Sequence, residues 1–242
     1  MKKVFIFILF LLTVSLSGQI IPGVTASAGS AVTPSTLLTG LVSYWTLDEA
    51  SGAAIDSKAL TNLAVYNATQ NQAGFNGSST AYTFNGTTSY LGNIDATYEI
   101  PVSFTVSAWV KTTTTGVYKF AVSNYHDPDG WCLGMTDNGT LDFEVNTGYV
   151  MSVAAINTGS WVHIVGVWNG TNVICFQNGV KATGSAQATV TYDVNSRFQV
   201  GSRESASFWN GSIDEVAIWS RALTDGEVAL LYNGGTGRIY PF

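Results

Sequence analysis

The chain has 242 residues, of which 46% are apolar and only 11% charged, with a formal net charge of −6. That composition supplies a sizeable core and excludes an intrinsically disordered chain. The acidic balance disfavours nucleic acid and anionic membrane surfaces as partners, and is compatible with neutral glycans and with calcium.

The N-terminus, MKKVFIFILFLLTVSLSG, sets two lysines before an apolar run from Val4 to Leu12, and small residues follow. This is the layout of a secretory leader. The run is shorter than the ~20 residues a transmembrane helix needs. We expect a signal peptide over 1–28, cleaved after Ser17 or after Ala26-Ser27-Ala28, or retained as a signal anchor. Gln19 stands where a lipobox would place its cysteine, so release is expected, with no stable membrane span after cleavage. The expected location is extracellular or at the cell surface. Residues 29–37, GSAVTPSTL, read as a short linker, and 38–242 as one domain of uniform texture.

From there the signal is period two. In SFTVSAWVK, Phe104, Val106, Ala108 and Val110 share one face. Ser103, Thr105, Ser107, Trp109 and Lys111 share the other, and the tryptophan there implies that this face is covered too. LDFEV (141–145), WVHIVGVW (161–168), TNVICFQNG (171–179) and RFQVG (197–201) are equally strand-like. Asn-Gly, which closes tight hairpins, occurs at 76–77, 85–86, 138–139, 169–170, 178–179, 210–211 and 233–234. Near the C-terminus, Thr224-Asp225-Gly226-Glu227 has capping-box spacing, Val228, Leu230 and Leu231 follow, and Asn233-Gly234 supplies a left-handed stop. That predicts a two-turn helix. The fold class is therefore all-β, a two-sheet antiparallel sandwich with one short C-terminal helix.

Five segments carry a resemblance: GLVSYWTLDEASG (40–52), YTFNGTTSYL (82–91), SFTVSAWVK (103–111), WVHIVGVWNGTNVICFQNGVKA (161–182) and FWNGSIDEVAIWSRALTDGEVALLY (208–232). In this order they resemble the laminin-G-like, concanavalin A-type jelly-roll domains. The resemblance implies two curved sheets, carbohydrate or extracellular glycoprotein as partner, and in some members one calcium ion. Glycoside hydrolases share the fold, so fold alone does not settle function.

For catalysis, glycosidases need two carboxylates flanking the scissile bond. Asp142 and Glu144 share a strand face, but Thr140 and Asn146 occupy the flanking positions where a third acid would sit. The pair reads as an exposed polar face, and no other catalytic motif is present. His163 reads as structural. The expected function is a secreted, non-catalytic lectin-like module; a structural or adhesion domain binding protein, and a glycan-active hydrolase, remain the alternatives. In 123–131, SNYHDPDGW, the residues Tyr125, His126, Asp127, Asp129 and Trp131 form a candidate sugar site, or else a hairpin tip with Trp131 in the core. Asp214 and Glu215, adjacent in a strand, are expected on opposite faces. With the first strand beside the last, Asp48, Glu49 and Asp214 form a candidate structural Ca2+ site. Cys132 and Cys175 are read either as a disulfide, which export would permit, or as buried free thiols.

Overall fold

The computed structural model describes residues 32–93, 98–187 and 189–242; the expected leader at 1–28 and the first linker residues at 29–31 lie outside them. The period-two runs become β1 (Leu41–Trp45), β2 (Ala64–Tyr66), β3 (Thr69–Ala73), β4 (Thr80–Asn85), β5 (Tyr90–Gly92), β6 (Phe104–Lys111), β7 (Lys119–His126) and β8 (Asp129–Met135). Then follow β9 (Thr140–Val145), β10 (Gly148–Ala155), β11 (Val162–Trp168), β12 (Asn172–Gln177), β13 (Val180–Ala186), β14 (Arg197–Val200) and β15 (Asn210–Trp219), and the helix α1 (Asp225–Tyr232). The first sheet runs β13-β12-β11-β6-β15-β4-β3, with β1 also paired to β15; the second runs β10-β9-β8-β7-β14-β5-β2. The strand pairs are antiparallel, as expected.

The core lies between the sheets. Phe104, Val106, Ala108 and Val110 of β6 point inward to meet Trp131, Leu141, Phe143 and Val145 of the second sheet. Each fully buried side chain of this kind contributes about 1.5–3 kcal/mol. Gly166 of β11 lies directly beneath Phe143: a Cβ there would sit 2.4 Å from the ring, so the ring occupies the space a side chain would need.

The outer face of the first sheet is covered as well. Tyr44, Val165, Val167, Phe176, Ala217 and Trp219 pack against Leu223, Val228 and Leu231 of the C-terminal segment, and against Leu37. Trp109 lies on this face too, 5% exposed, stacked on Phe75 at 4.3 Å. The Thr224 hydroxyl and the Glu227 carboxylate form the expected capping box, and Asn233 adopts the left-handed stop. The stretch read as linker is structured from Pro34 on. Pro34–Leu38 is a 3-10 turn with Leu37 fully buried, and its carbonyl accepts from Trp219 Nε1 at 2.7 Å.

Two local expectations are corrected. Asn210-Gly211 is no turn but the start of β15, where the backbone of Lys111 approaches so closely that a Cβ on Gly211 would meet its carbonyl oxygen at 2.0 Å. Asp214 and Glu215 do not point to opposite faces. Glu215 adopts φ 50° and inserts an extra residue into β15, shifting the register between Asp214 and Ala217. This bulge turns both carboxyls to the outer face of the first sheet while Ile213 and Val216 keep the core. The middle strands of the first sheet are thus covered on both sides.

Candidate functional site

Strand β9 builds the candidate site on the outer face of the second sheet. Its odd positions, Leu141, Phe143 and Val145, are held in the core, so alternation sends Asp142 and Glu144 outward. Asp142 lies between Gly134 of β8 and Met151 of β10, and Glu144 between Cys132 and Tyr149. Glu144 Oε2 accepts from Arg203 Nη1 at 3.1 Å and from Cys132 Sγ at 3.2 Å. Arg203, from the 201–208 segment that crosses the face, lays its guanidinium over Phe120 at 4.3 Å and Tyr125 at 5.0 Å. These cation–π contacts fix the arginine, and through it Glu144.

Asp142 is only 2% exposed, which corrects the expectation of an exposed polar face. Burial first, then the charge of Glu144 and a hydrogen bond with it, push the Asp142 carboxyl up to about 8; Arg203 pulls the other way. At neutral pH Asp142 therefore favours its protonated form. Burial and the same glutamate push the Cys132 thiol up, so it stays a neutral hydrophobe and not a nucleophile. Beside the pair opens a cleft of about 330 Å³, walled by Tyr118, Tyr149 and Met151 with Asn146 and Thr147. Tyr118 and Tyr149 are about half exposed. The cleft thus offers two tyrosine faces, the Glu144 carboxyl fixed by Arg203, and the Asn146 amide.

The ligand residues expected at 123–131 do not line this cleft and make contacts within the hairpin and with neighbouring segments. Tyr125 is buried under Arg203 and donates its hydroxyl to Asp127 Oδ1 at 3.0 Å. The Asp127 backbone N–H donates to Glu204 at 3.2 Å, His126 Nδ1 lies 3.3 Å from Asp193, and Asp129 accepts from the Thr191 hydroxyl. Trp131 is fully buried against Phe104 at 5.4 Å, because alternation in β8 turns it and its partner Asn124 inward. It cannot stack on a sugar.

The candidate calcium ligands are partly brought together: β1 does pair with β15, and Asp48 lies near enough to raise the Asp214 carboxyl. Their oxygens, however, already accept from the protein. Asp48 Oδ1 takes the Thr80 N–H at 2.7 Å, Asp214 takes the Phe75 N–H at 3.1 Å, and Glu49 takes the Ile55 N–H and the Tyr82 hydroxyl, both at 2.8 Å. Burial pushes Asp214 up to about 7, which favours a proton on it. Among the described residues no group of three acidic, histidine or cysteine side chains could hold a metal ion, so these residues do not fit calcium. Of the two readings of the cysteines, the structure has the buried free thiols: Cys132 and Cys175 are unpaired with each other. Cys132 packs on the outer face of the second sheet with Phe120 and Tyr125, whereas Cys175 of the first sheet points into the core.

Sequence reasoning missed Tyr118, Tyr149 and Arg203. Continuing the alternation from Glu144 across the Asn146 turn would have placed Tyr149 opposite Glu144. Arg203 carries no local signal, since a loop crossing brings it to β9.

The family profile described as Concanavalin A-like lectin/glucanases superfamily matches residues 85–229. Comparison with functionally curated protein sequences returns no match. Among solved structures, the binding domain of Paraclostridial Mosquitocidal Protein 1 is similar, with TM-score 0.62 and 21% identity over 80% of this chain and 52% of that one. A Trypanosoma rangeli sialidase follows at 0.60 and 15%, over 80% and 32%. Domain 4 of AbnA, a GH43 extracellular arabinanase from Geobacillus stearothermophilus in complex with arabinotriose, gives 0.56 and 21%, over 78% and 96%. The chain thus spans about half of the toxin domain and a third of the sialidase, but nearly all of the arabinanase domain. At these identities the likeness is one of fold.

Proposed function

The chain belongs to the concanavalin A-like lectin/glucanases superfamily, and from that premise we propose that it is an exported, non-catalytic glycan-binding module that takes a neutral oligosaccharide in the β9–β10 cleft. The observation that carries the reading is the cleft itself, with Tyr118 and Tyr149 flanking the Asp142–Glu144 carboxyl pair. A tyrosine face suits the C–H side of a sugar ring, while Glu144, held by Arg203, accepts from a hydroxyl. The negative charge on Glu144 and the acidic chain as a whole disfavour an anionic sugar at this point. That the arabinanase domain, nearly all of which is matched, is complexed with arabinotriose supports a neutral oligosaccharide.

Calorimetric titration with a panel of neutral oligosaccharides, arabinotriose among them, tests this. We expect binding to at least one, weakened about three- to tenfold by Tyr149→Ala, the range aromatic contacts give. Silence across the panel would refute the reading.

One observation favours a hydrolase as the second reading: a carboxyl raised to about 8 is the state a general acid needs. Against it, Asp142 is hydrogen-bonded to Glu144, whereas glycosidase carboxyls stand apart on either side of a bond. Release of reducing sugar that disappears in Asp142→Asn would establish that reading instead. Export through the leader at 1–28 is part of the proposal, and N-terminal sequencing of the protein recovered from culture medium checks it.

A further inference from the structure

At the other end of the same sheet face lies a second cleft, of about 250 Å³, across β14, β5 and β2. We propose that it is a separate binding site for a carboxylate-bearing sugar residue, such as a uronate within an oligosaccharide. Its wall is a cross-strand pair, Tyr66 on Tyr90, stacked at 4.5 Å with 14° between the rings. Tyr66 is 45% exposed, so one ring presents its face to solvent while the other holds it in place. Its floor is Gly92, which lies between Ala64 and Gln199 in register, and the missing side chain leaves room for a ligand above the backbone.

The polar groups of this cleft are fixed in advance. Arg197 Nη1 donates to the carbonyls of Val194 at 3.1 Å and Ser196 at 3.0 Å, which anchors the guanidinium at the cleft edge. The Gln199 Oε1 accepts from Ser202 Oγ and the Ser205 N–H, both at 3.0 Å, and its Nε2 donates to Ser205 Oγ at 3.1 Å. Among the described residues that line the cleft, Arg197 is the charged one. Asp193 is close enough to feel Arg197, but it is engaged by Asn195 and by His126. In a chain of net charge −6 a fixed cation beside an exposed aromatic platform selects for an anion that also carries an apolar face. A sugar carboxylate meets both conditions, since guanidinium and carboxylate form paired, charge-assisted hydrogen bonds. The two clefts then differ in sign, one built on Asp142 and Glu144 and the other on Arg197, with the 201–208 segment between them: Arg203 reaches Glu144 on one side and Ser205 rims the other.

The test uses trigalacturonate and its methyl ester, in which the carboxylate charge is removed and a methyl group added, titrated into 15N-labelled protein. We expect the acid to perturb the amides of Gly92 and Gln199, with affinity falling as salt rises. Affinity should drop roughly tenfold or more on esterification or in Arg197→Gln, the loss expected for one charged hydrogen-bonded partner. Tyr66→Ala should weaken binding and Tyr149→Ala should leave it unchanged, which separates this site from the β9–β10 cleft. Equal affinity for acid and ester, perturbations confined to other amides, or no binding of the acid would each overturn the proposal. Because the ester comparison is made on the unaltered chain, the result does not depend on any variant folding.

Discussion

Replacing Glu215 with glutamine removes one proton equilibrium from the buried outer face of the first sheet. Burial pushes the Glu215 carboxyl from its ordinary 4.5 up to about 9; the hydrogen bond from the Tyr44 hydroxyl opposes the shift, and the charges of Asp214 and Asp48 add to it. Between these two values the folded protein keeps a proton that the unfolded chain has released. Stability is therefore fully present below pH 4.5 and is lost as pH rises towards 9. From 4.5 to 7 the loss is about 3 kcal/mol, at about 1.4 kcal/mol for each pH unit. Glutamine is uncharged throughout and keeps an oxygen for Tyr44. Urea unfolding of both proteins, followed by tryptophan fluorescence from pH 4.5 to 9, should show a stability difference near zero at the acid end and about 3 kcal/mol in favour of Glu215→Gln at pH 7. The difference between the two curves matters because other groups titrate too. Asp142 and Asp214 also lose stability as pH rises, whereas His163, pushed down to about 3 by burial, loses it as pH falls from its ordinary 6.5. Parallel curves for the two proteins would refute the placement of a protonated Glu215.

Three further outcomes are expected. Gly166→Ala drives a methyl group into the Phe143 ring and should lower stability by about 1–3 kcal/mol, the usual cost of overpacking; an unchanged melting temperature would show that the ring lies elsewhere. Calcium or a chelator should leave the melting temperature unchanged, because Asp48, Glu49 and Asp214 each already accept from protein donors; a reproducible rise with calcium would refute that account. Cys132 and Cys175 should both react with a thiol reagent only once the chain is unfolded, whereas rapid labelling of the native protein, or a fragment held by a disulfide after cleavage between them, would contradict two separately buried thiols.

The alternation of Phe104, Val106, Ala108 and Val110, and the capping box at Thr224, were enough to define the sandwich and its closing helix. Both are local rules: a strand side chain points up or down with parity, and a helix start is capped by residues three apart. The same parity rule put Asp142 and Glu144 on one face. It failed at Glu215, because a single left-handed residue in β15 adds one position to the count and turns its carboxyl to the side of Asp214. It was also silent on which acids hold protons, since that depends on burial and on neighbours distant in the chain. Arg203 reaches Glu144 from 59 residues away, and Arg197 shares a cleft with Tyr66 and Tyr90 only because β14 pairs with β5 and β5 with β2. The sequence by itself determined which residues form strands and which faces are apolar. Only the tertiary structure decided which faces are covered and where the charges gather, because sheet order and loop crossings are set by contacts between segments that no local pattern encodes.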